Sequence, residues 1–346
     1  VGGGEERQAR TNTGVRLAVR RSLAEWGMGA EMMSLSIGID YGRRSWKLCL
    51  LDEAQPPEYH CFASPAELLA GLTRLCALFP EPVITLAAGN GLPLERLDRL
   101  VSEQIDAWTT GYDEPVLAPS SRIASAAGEA LPQTQEGAPL ALTGFVETLR
   151  SLNLHSYVLP GLAHVPTVPA YRLLLERLPG SPAAVCRVVT LLYRLRQREA
   201  SWPEMRFLTL EARSASWQIL VVEDGYLTNG VHGTPRDLAL PLPLAPAPAE
   251  GTFEQAYWEG LLRDLAGLLA IHHLDEVVIS GRRSEALATR LSEVYQLYYF
   301  PYAPHEPHGF EAALGAALIA SGLQHPHSLA AEVVQHLQLW RPVPVF

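Results

Sequence analysis

The sequence predicts an α/β protein made of two like halves, each a mixed sheet with helices packed on it. Three observations predict it. Strand-like and helix-like runs alternate along most of the 346 residues. A trio of short strands opens near Leu35, and a second trio of the same kind opens near Met205. Each trio then gives way to alternating helices and strands, the pattern of a sheet with helices on its faces. The expected organisation is an N-terminal extension over 1–33, a first domain over 34–200, a second over 201–323 and a C-terminal tail over 324–346, with any ligand in the cleft between the halves.

The elements follow in order. LSIGID from Leu35 is a strand, YGRR a turn, SWKLCLLD a second strand and EYHCFAS a weaker third, before a helix from Pro65 to Phe79. VITLAAG is a strand, about 110–140 is irregular and rich in Gly, Pro and Ser, and Gly144 to Leu152 is helical. HSYVLPG is a strand, followed by helices over Pro169 to Leu178 and Ala183 to Glu199, the second long enough to cross between domains. After Pro203 the trio recurs as MRFLTLEA, SASWQILVVED and YLTNGVHGT, the last two joined by the turn Asp224-Gly225. A Pro-rich loop, PLPLAPAPAEG, precedes a helix marked by Phe253, Tyr257, Leu261 and Leu265 at i+4. The strand EVVISG, the helix SEALATRLSEVY, the strand LYYFPYA and the small-residue helix FEAALGAALIASGL complete the second half.

Composition narrows the class. With 48% apolar and 18% charged residues the chain is neither disordered nor collagen-like. Twenty-seven basic against 37 acidic residues, a formal charge of −10, argue against binding to a nucleic acid backbone. The cysteines at 49, 61, 76 and 186 lie in or beside apolar runs without CxxC or zinc spacing, and read as reduced core thiols of an intracellular protein. No stretch reaches the roughly 18 apolar residues of a membrane span, which sets a cytoplasmic expectation. Residues 1–31 are Gly-rich at the start and weakly patterned ahead of Met32-Met33, as expected of an extension from an upstream start codon. An organelle-targeting helix is the other reading, which Glu5, Glu6, Glu25 and Glu31 fit poorly.

Three turns carry candidate chemistry. In SIGIDYGRRSWKLCLLD, Asp40 ends a buried strand, Gly42 sits in the turn, and Ser45 and Lys47 begin the returning strand. A glycine turn offers backbone N–H groups to phosphate, a hydroxyl and an ammonium bind its oxygens, and a carboxylate can hold an accompanying magnesium. The plainer reading is an ordinary hairpin. The second half offers LEARSAS, where Glu211 ends a strand and Ser214 and Ser216 enter the next; Arg213 stands where glycine would. That arginine either fills the phosphate space or supplies a guanidinium donor; a surface residue at a strand end is the plainer alternative. In VVISGRRS, Ser280-Gly281 can let a nucleotide lie against backbone and a helix start, and Ser284 also reads as a plain N-cap.

Asp-x-Gly-x-x-Ser-x-Lys at 40–47, the acid at 211 and Ser-Gly at 280–281 resemble, in that order, the phosphate-1, phosphate-2 and adenosine elements of the actin, sugar-kinase and Hsp70-like ATPase superfamily. GNGLPL at 89–94, YVLPGLAHVPTVPAYR at 157–172, VEDGYLTNGVHGT at 222–234, VVISGRRS at 277–284 and FEAALGAALIASGL at 310–323 are similar to an uncharacterised domain-of-unknown-function family, mainly archaeal, described as predicted butyrate kinases. The likeness spans about 34–323. It implies duplicated ribonuclease H-like (actin-like ATPase) domains around a cleft, and an ATP- and Mg2+-dependent kinase of the acetate-kinase type with a small carboxylate or hydroxyl acceptor.

On that resemblance Asp40 would orient magnesium, Gly42, Ser45 and Lys47 would hold the terminal phosphates, and Glu211 would be a second magnesium or base position. Ser214, Gly233 and Thr234 would complete the nucleotide contacts of the second half, and Ser280 and Gly281 would flank the adenosine. His164, Thr167 and Arg172 would bind the acceptor; a Pro-rigidified loop with Arg172 paired at the surface is the plainer reading. Implied partners are a nucleotide and a small anionic metabolite, with no nucleic acid and no membrane, and a homodimer as the open assembly.

The chain departs from the family pattern at Arg43, Arg213 and His232, and PGSPAAVC at 179–186 lacks the expected Asp and Lys. The alternative to a low-activity kinase is therefore a non-catalytic nucleotide-binding or scaffold relative with degenerate phosphate loops.

Overall fold

Alternation along Ser36–Tyr41 (β1) sends Ile37, Ile39 and Tyr41 into one apolar cluster and leaves Ser36, Gly38 and Asp40 for the other face. The computed structural model describes residues 35–42, 46–52, 55–79, 81–109, 142–175, 177–235, 251–304 and 306–341. Trp46–Asp52 (β2) returns antiparallel to β1 and Gln55–Phe62 (β3) antiparallel to β2. Pro65–Leu78 (α1) starts at an N-cap, where the Ser64 hydroxyl accepts from the Glu67 amide at 3.2 Å and the Ala63 amide donates to the Glu67 carboxylate at 3.1 Å. Val83–Ala87 (β4) lies parallel to β1; Glu95–Arg96 (β5) and His155–Val158 (β6) complete a sheet of order β3-β2-β1-β4-β6-β5. Ser102–Thr109 (α2) and Leu142–Ser151 (α3) join α1 on its outer face, burying Leu68, Leu72, Trp108 and Phe145 against Ile37 and Ile39.

Arg172–Leu175 (α4) is a single turn, and Pro182–Gln197 (α5) is a long helix with Pro at its first position. The second trio then follows as Phe207–Ala212 (β7), Trp217–Glu223 (β8) and Tyr226–Gly233 (β9). Thr252–His272 (α6), Glu276–Ser280 (β10), Ser284–Leu291 (α7) and Gln296–Tyr299 (β11) complete a second sheet of order β11-β10-β7-β8-β9, with β10 and β11 parallel to β7. Without the two-residue β5, the two sheets match strand for strand. The trios lie in separate sheets, as a duplication requires, and each half has the ribonuclease H-like order.

Glu311–Gln324 (α8) and Leu329–His336 (α9) join α5 in a layer between the sheets, where Val185, Val188, Ala316 and Ile319 share one core with Phe207, Leu220 and Cys49. Small residues make this layer thin. A Cβ on Gly38 would run into the Ala313 carbonyl and the Ala317 amide of α8, and one on Gly315 would run into the Cys186 carbonyl of α5. The outer core of the second sheet packs Leu208, Leu210 and Ile219 against Tyr257, Leu261 and Leu287.

Several expectations are corrected. The helix expected over Pro169–Leu178 shrinks to the four residues of α4, and Tyr171, Leu173 and Leu174 stand exposed, Leu174 at 87%. Within the expected tail, α9 buries Ala330, Ala331, Val333 and Val334. Its last residue, His336, stacks on Trp202 with centroids 3.7 Å apart and on Tyr226 at 4.0 Å, and its Nε2–H donates to the Asp224 carbonyl at 2.9 Å. The four cysteines are free thiols; Cys49 and Cys186 are buried, but Cys61, on β3, is exposed. The extension over 1–33, the irregular stretch over 110–140 and the Pro-rich loop over 241–250 lie outside the described residues. Among the described residues no helix is long and apolar enough to cross a membrane.

The thin layer gives opposite signs at two glycines. Gly38→Ala is expected to cost about 1–3 kcal/mol by overpacking against α8. Gly267→Ala, inside α6 with nothing within 4 Å of the added carbon, is expected to stabilise by about 0.5–1 kcal/mol. Urea denaturation of the two variants checks both signs.

Candidate functional site

The same alternation that buries Ile39 and Leu210 points Asp40 and Glu211 into the layer between the sheets, each near the C-terminal end of the first strand of its half. Asp40 lies opposite Lys47 in the β1–β2 register, and Glu211 lies opposite Gln218 in the β7–β8 register. The spacing is identical in both halves: acid, then Gly42 or Arg213 two places on, then Lys47 or Gln218 seven places on. Each half thus carries a cation of its own near its acid, Lys47 on the strand in the first half and Arg213 on the turn in the second.

Arg187 of α5 reaches the second acid directly, and its charge acts on the first. Its guanidinium donates to the Glu211 carboxylate and, at 3.1 Å, to the Gln218 side-chain oxygen. Arg213 pairs with the same Glu211 carboxylate at 2.9 Å and reaches Gln218 at 3.5 Å. His232, opposite Gln218 on β9, brings Nδ1 to 3.5 Å from its amide nitrogen. Lys47 donates to the Gly309 carbonyl and lies 5.5 Å from the Phe310 ring centroid.

The two carboxyls are driven apart. Burial is the largest influence on Asp40 and raises its pKa, against the pull of Lys47, Arg187 and Arg213 and with the push of Glu211. Burial acts in the same sense on Glu211, but Arg187 and Arg213, with help from Lys47, outweigh it and hold that carboxyl below its usual range. Glu211 is thus a fixed anion that organises two guanidinium groups, whereas Asp40 is the group able to take up a proton. This donor set suits a magnesium ion poorly, because Arg187 and Arg213 share Oε2 of Glu211 and the positive charges of Lys47, Arg187 and Arg213 act on Asp40. Among the described residues no group of three His, Cys, Asp or Glu gathers to hold a metal.

The third predicted element comes to the same place. Ser280 is the register partner of Glu211, and Gly281, at φ +88°, lies so close that a Cβ would come within 2.7 Å of the Ala212 carbonyl and 3.2 Å of Glu211 Cγ. Arg283 fastens this turn: its guanidinium donates to the Ser214 carbonyl at 3.1 Å, pairs with Glu254 at 2.9 Å and lies 4.4 Å from the Tyr257 ring centroid.

Other predicted residues are held elsewhere. Gly233 packs under Trp217, whose indole fills the space of a Cβ, and Thr234 follows it half-buried. The Thr167 hydroxyl donates to the Leu227 carbonyl at 2.6 Å, Arg172 is buried with its guanidinium 5.0 Å from the Tyr171 ring centroid, and His164 has its pKa lowered by burial. Gly42 is half-buried at the end of β1; Arg43 and Ser45 lie outside the described residues. A cavity of about 910 Å3 opens at the other end of β1, lined by Ser36, Asp52, Tyr59, Arg194 and Glu306 among others, and by none of the predicted residues.

Sequence reasoning missed Arg187 and Gln218. Arg187 was legible as the single charge in the apolar run PAAVCRVVTLL, and Gln218 as the residue seven places after the second acid.

Two measurements test this account. Arg187→Met is expected to cost about 3–5 kcal/mol at pH 7, the usual loss when a buried carboxylate loses its partner; a urea-denaturation loss under about 1 kcal/mol would mean that Arg213 alone neutralises Glu211. The pH dependence has two signs. Glu211, lowered in the fold, contributes stability present above its unfolded pKa near 4.5 and lost as pH falls through the folded value. Asp40, raised in the fold, contributes stability present below its unfolded pKa near 3.8 and lost as pH rises through the folded value. Asp40→Asn should therefore be more stable than wild type at pH 7, with the difference closing as pH falls; a pH-independent difference would contradict the burial argument.

A family model described as "Protein of unknown function (DUF1464)" matches residues 38–239, a stretch that contains Asp40, Lys47, Arg187, Glu211, Arg213 and Gln218. No curated protein matches the chain. Similar solved structures include the inorganic polyphosphate/ATP-glucomannokinase from Arthrobacter sp. strain KM (13% identity, TM-score 0.40, 84% of this chain and 100% of that one). Two others are the acetate kinase from Entamoeba histolytica (10%, 0.43, 75% and 87%) and a protein with actin-like ATPase fold from Bacteroides thetaiotaomicron (10%, 0.37, 84% and 99%). Activity does not transfer across such distances, and function has to be argued from the site itself.

Proposed function

The chain belongs to the DUF1464 family of proteins of unknown function, and we propose that it is a nucleotide-binding protein in which the phosphates of ATP lie on Lys47, Arg187 and Arg213. One observation carries the reading: cations from β2, from α5 and from the turn after β7 converge on two carboxylates at the facing ends of duplicated strands. Planar guanidinium forks bind phosphoryl oxygens in pairs, and Glu211 holds two such forks in place before a ligand arrives. Gly281 supports the same reading. Its positive φ and missing side chain let the turn after β10 close on Ala212 and Glu211, which brings that turn's backbone to the edge of the site.

Phosphoryl transfer, on this reading, is slow. Arg213 stands where a glycine would admit the transferring group, and Glu211, clasped by two arginines, is not free to act as a base. A hydroxyl acceptor would give its proton to Asp40, the carboxyl whose protonation burial favours, whereas a butyrate-type carboxylate acceptor brings no proton to remove. A kinase acting on a small carboxylate is the finer form of the proposal, and turnover decides it.

ATP at a hundredfold excess over its Kd is expected to stabilise the protein by about 2.7 kcal/mol, and Lys47→Ala to lose most of the shift. An unchanged melting temperature with ATP and with ADP would refute nucleotide binding. With a panel of short carboxylates and sugars, wild type should release ADP near background and Arg213→Gly faster. Slower release by Arg213→Gly, by up to about 10³-fold, would instead identify Arg213 as a stabiliser of the transferring charge.

A further inference from the structure

Resting on the reading of this site as a phosphate site, we propose that the protein takes its nucleoside triphosphate free of any divalent cation, with the Arg187 and Arg213 guanidinium groups on the Glu211 carboxylate serving in place of a metal. The first argument is occupancy of the donors. A metal at Glu211 would have to share its carboxylate with two guanidinium groups, since Arg187 and, at 2.9 Å, Arg213 both sit on Oε2 of this part-buried side chain. Arg187 is anchored a second time on Gln218, itself 3% exposed, and the helix that carries it is locked at Cys186 by the approach of Gly315. Swinging this guanidinium aside would leave Glu211 and Gln218 to Arg213 alone.

The second argument is charge. Three cations face two carboxylates, so the cluster is net positive before any ligand binds. A divalent cation entering here therefore meets repulsion while a polyphosphate meets attraction. The third is the internal duplicate. A cation two places or seven places after the acid occurs in each half, so neither half presents a carboxylate without a resident positive group. Magnesium bound to the nucleotide would cancel the charge that the three cations recognise, and so compete with the site.

Calorimetric titration of the full chain with ATP, in EDTA and then in excess magnesium chloride, tests the proposal. The expected result is a Kd in EDTA no weaker than the Kd with magnesium. In the converse arm, Arg187→Gln, checked for folding by circular dichroism, removes one of the two guanidinium groups from Glu211 and should bind ATP about tenfold tighter with magnesium than in EDTA, within the usual coupling between two ligands. Binding by wild type only with magnesium would overturn the metal-free proposal and leave nucleotide binding standing. No heat in either buffer would overturn both. If Arg187→Gln does not fold, the wild-type comparison decides alone; if it folds and binds ATP without regard to magnesium, Arg187 is not the stand-in.

Discussion

Two glycines set the distance between the sheets. Gly38 lets α8 lie on β1 at backbone contact, and Gly315 lets α5 lie on α8 in the same way. A larger residue at either place would thicken the layer, and side chains projecting into it from the two sheets would no longer share a partner. Arg187 can meet Glu211 and act on Asp40 at once because its helix touches α8 at backbone distance one residue away, where Cys186 meets Gly315. The geometry of the site is a consequence of how little the helices between the sheets contain.

That closeness explains the electrostatic division of labour. Two carboxylates buried in one thin layer would repel, and the fold answers with three cations and an unequal split: Glu211 stays charged and Asp40 is pushed towards its neutral form. The halves reach the same end by different residues. Lys47 projects from a strand, where it is steadied by the Gly309 carbonyl and the Phe310 ring, while Arg213 projects from a turn whose own backbone is tied down by Tyr257 and Arg283. Duplication conserved the position of the acid and let the accompanying cation move.

Much of the fold was legible because period-two alternation in LSIGID and MRFLTLEA has one physical outcome, a strand with two unlike faces. Register then did the rest, since an acid near the end of the first strand of each trio must face the layer into which Gly38 also points. The run PAYRLLLER misled because its leucines imitate a helix face, though no neighbouring element offers them a surface. Helix α2 was missed since SEQIDAWT is mostly polar and is held by only Ile105, Trp108 and Thr109. Arg187 escaped notice for a different reason. The family pattern places an Asp and a Lys within 179–186, and the relevant charge is the next residue along.

The helix that covers the inner face of the first sheet arrives last. Ser36 on β1 donates to Gln324 at the end of α8, 288 residues further along the chain. A ribosome adding about 5–20 residues per second needs on the order of tens of seconds to span that interval. Until α8 arrives, the inner face of the first sheet, with Ser36, Gly38 and Thr85 at its centre and Leu51 and Tyr59 beside them, lacks the helix that completes it. The backbone-close seat that shapes the site in the finished protein is therefore among the last contacts the chain can make during synthesis.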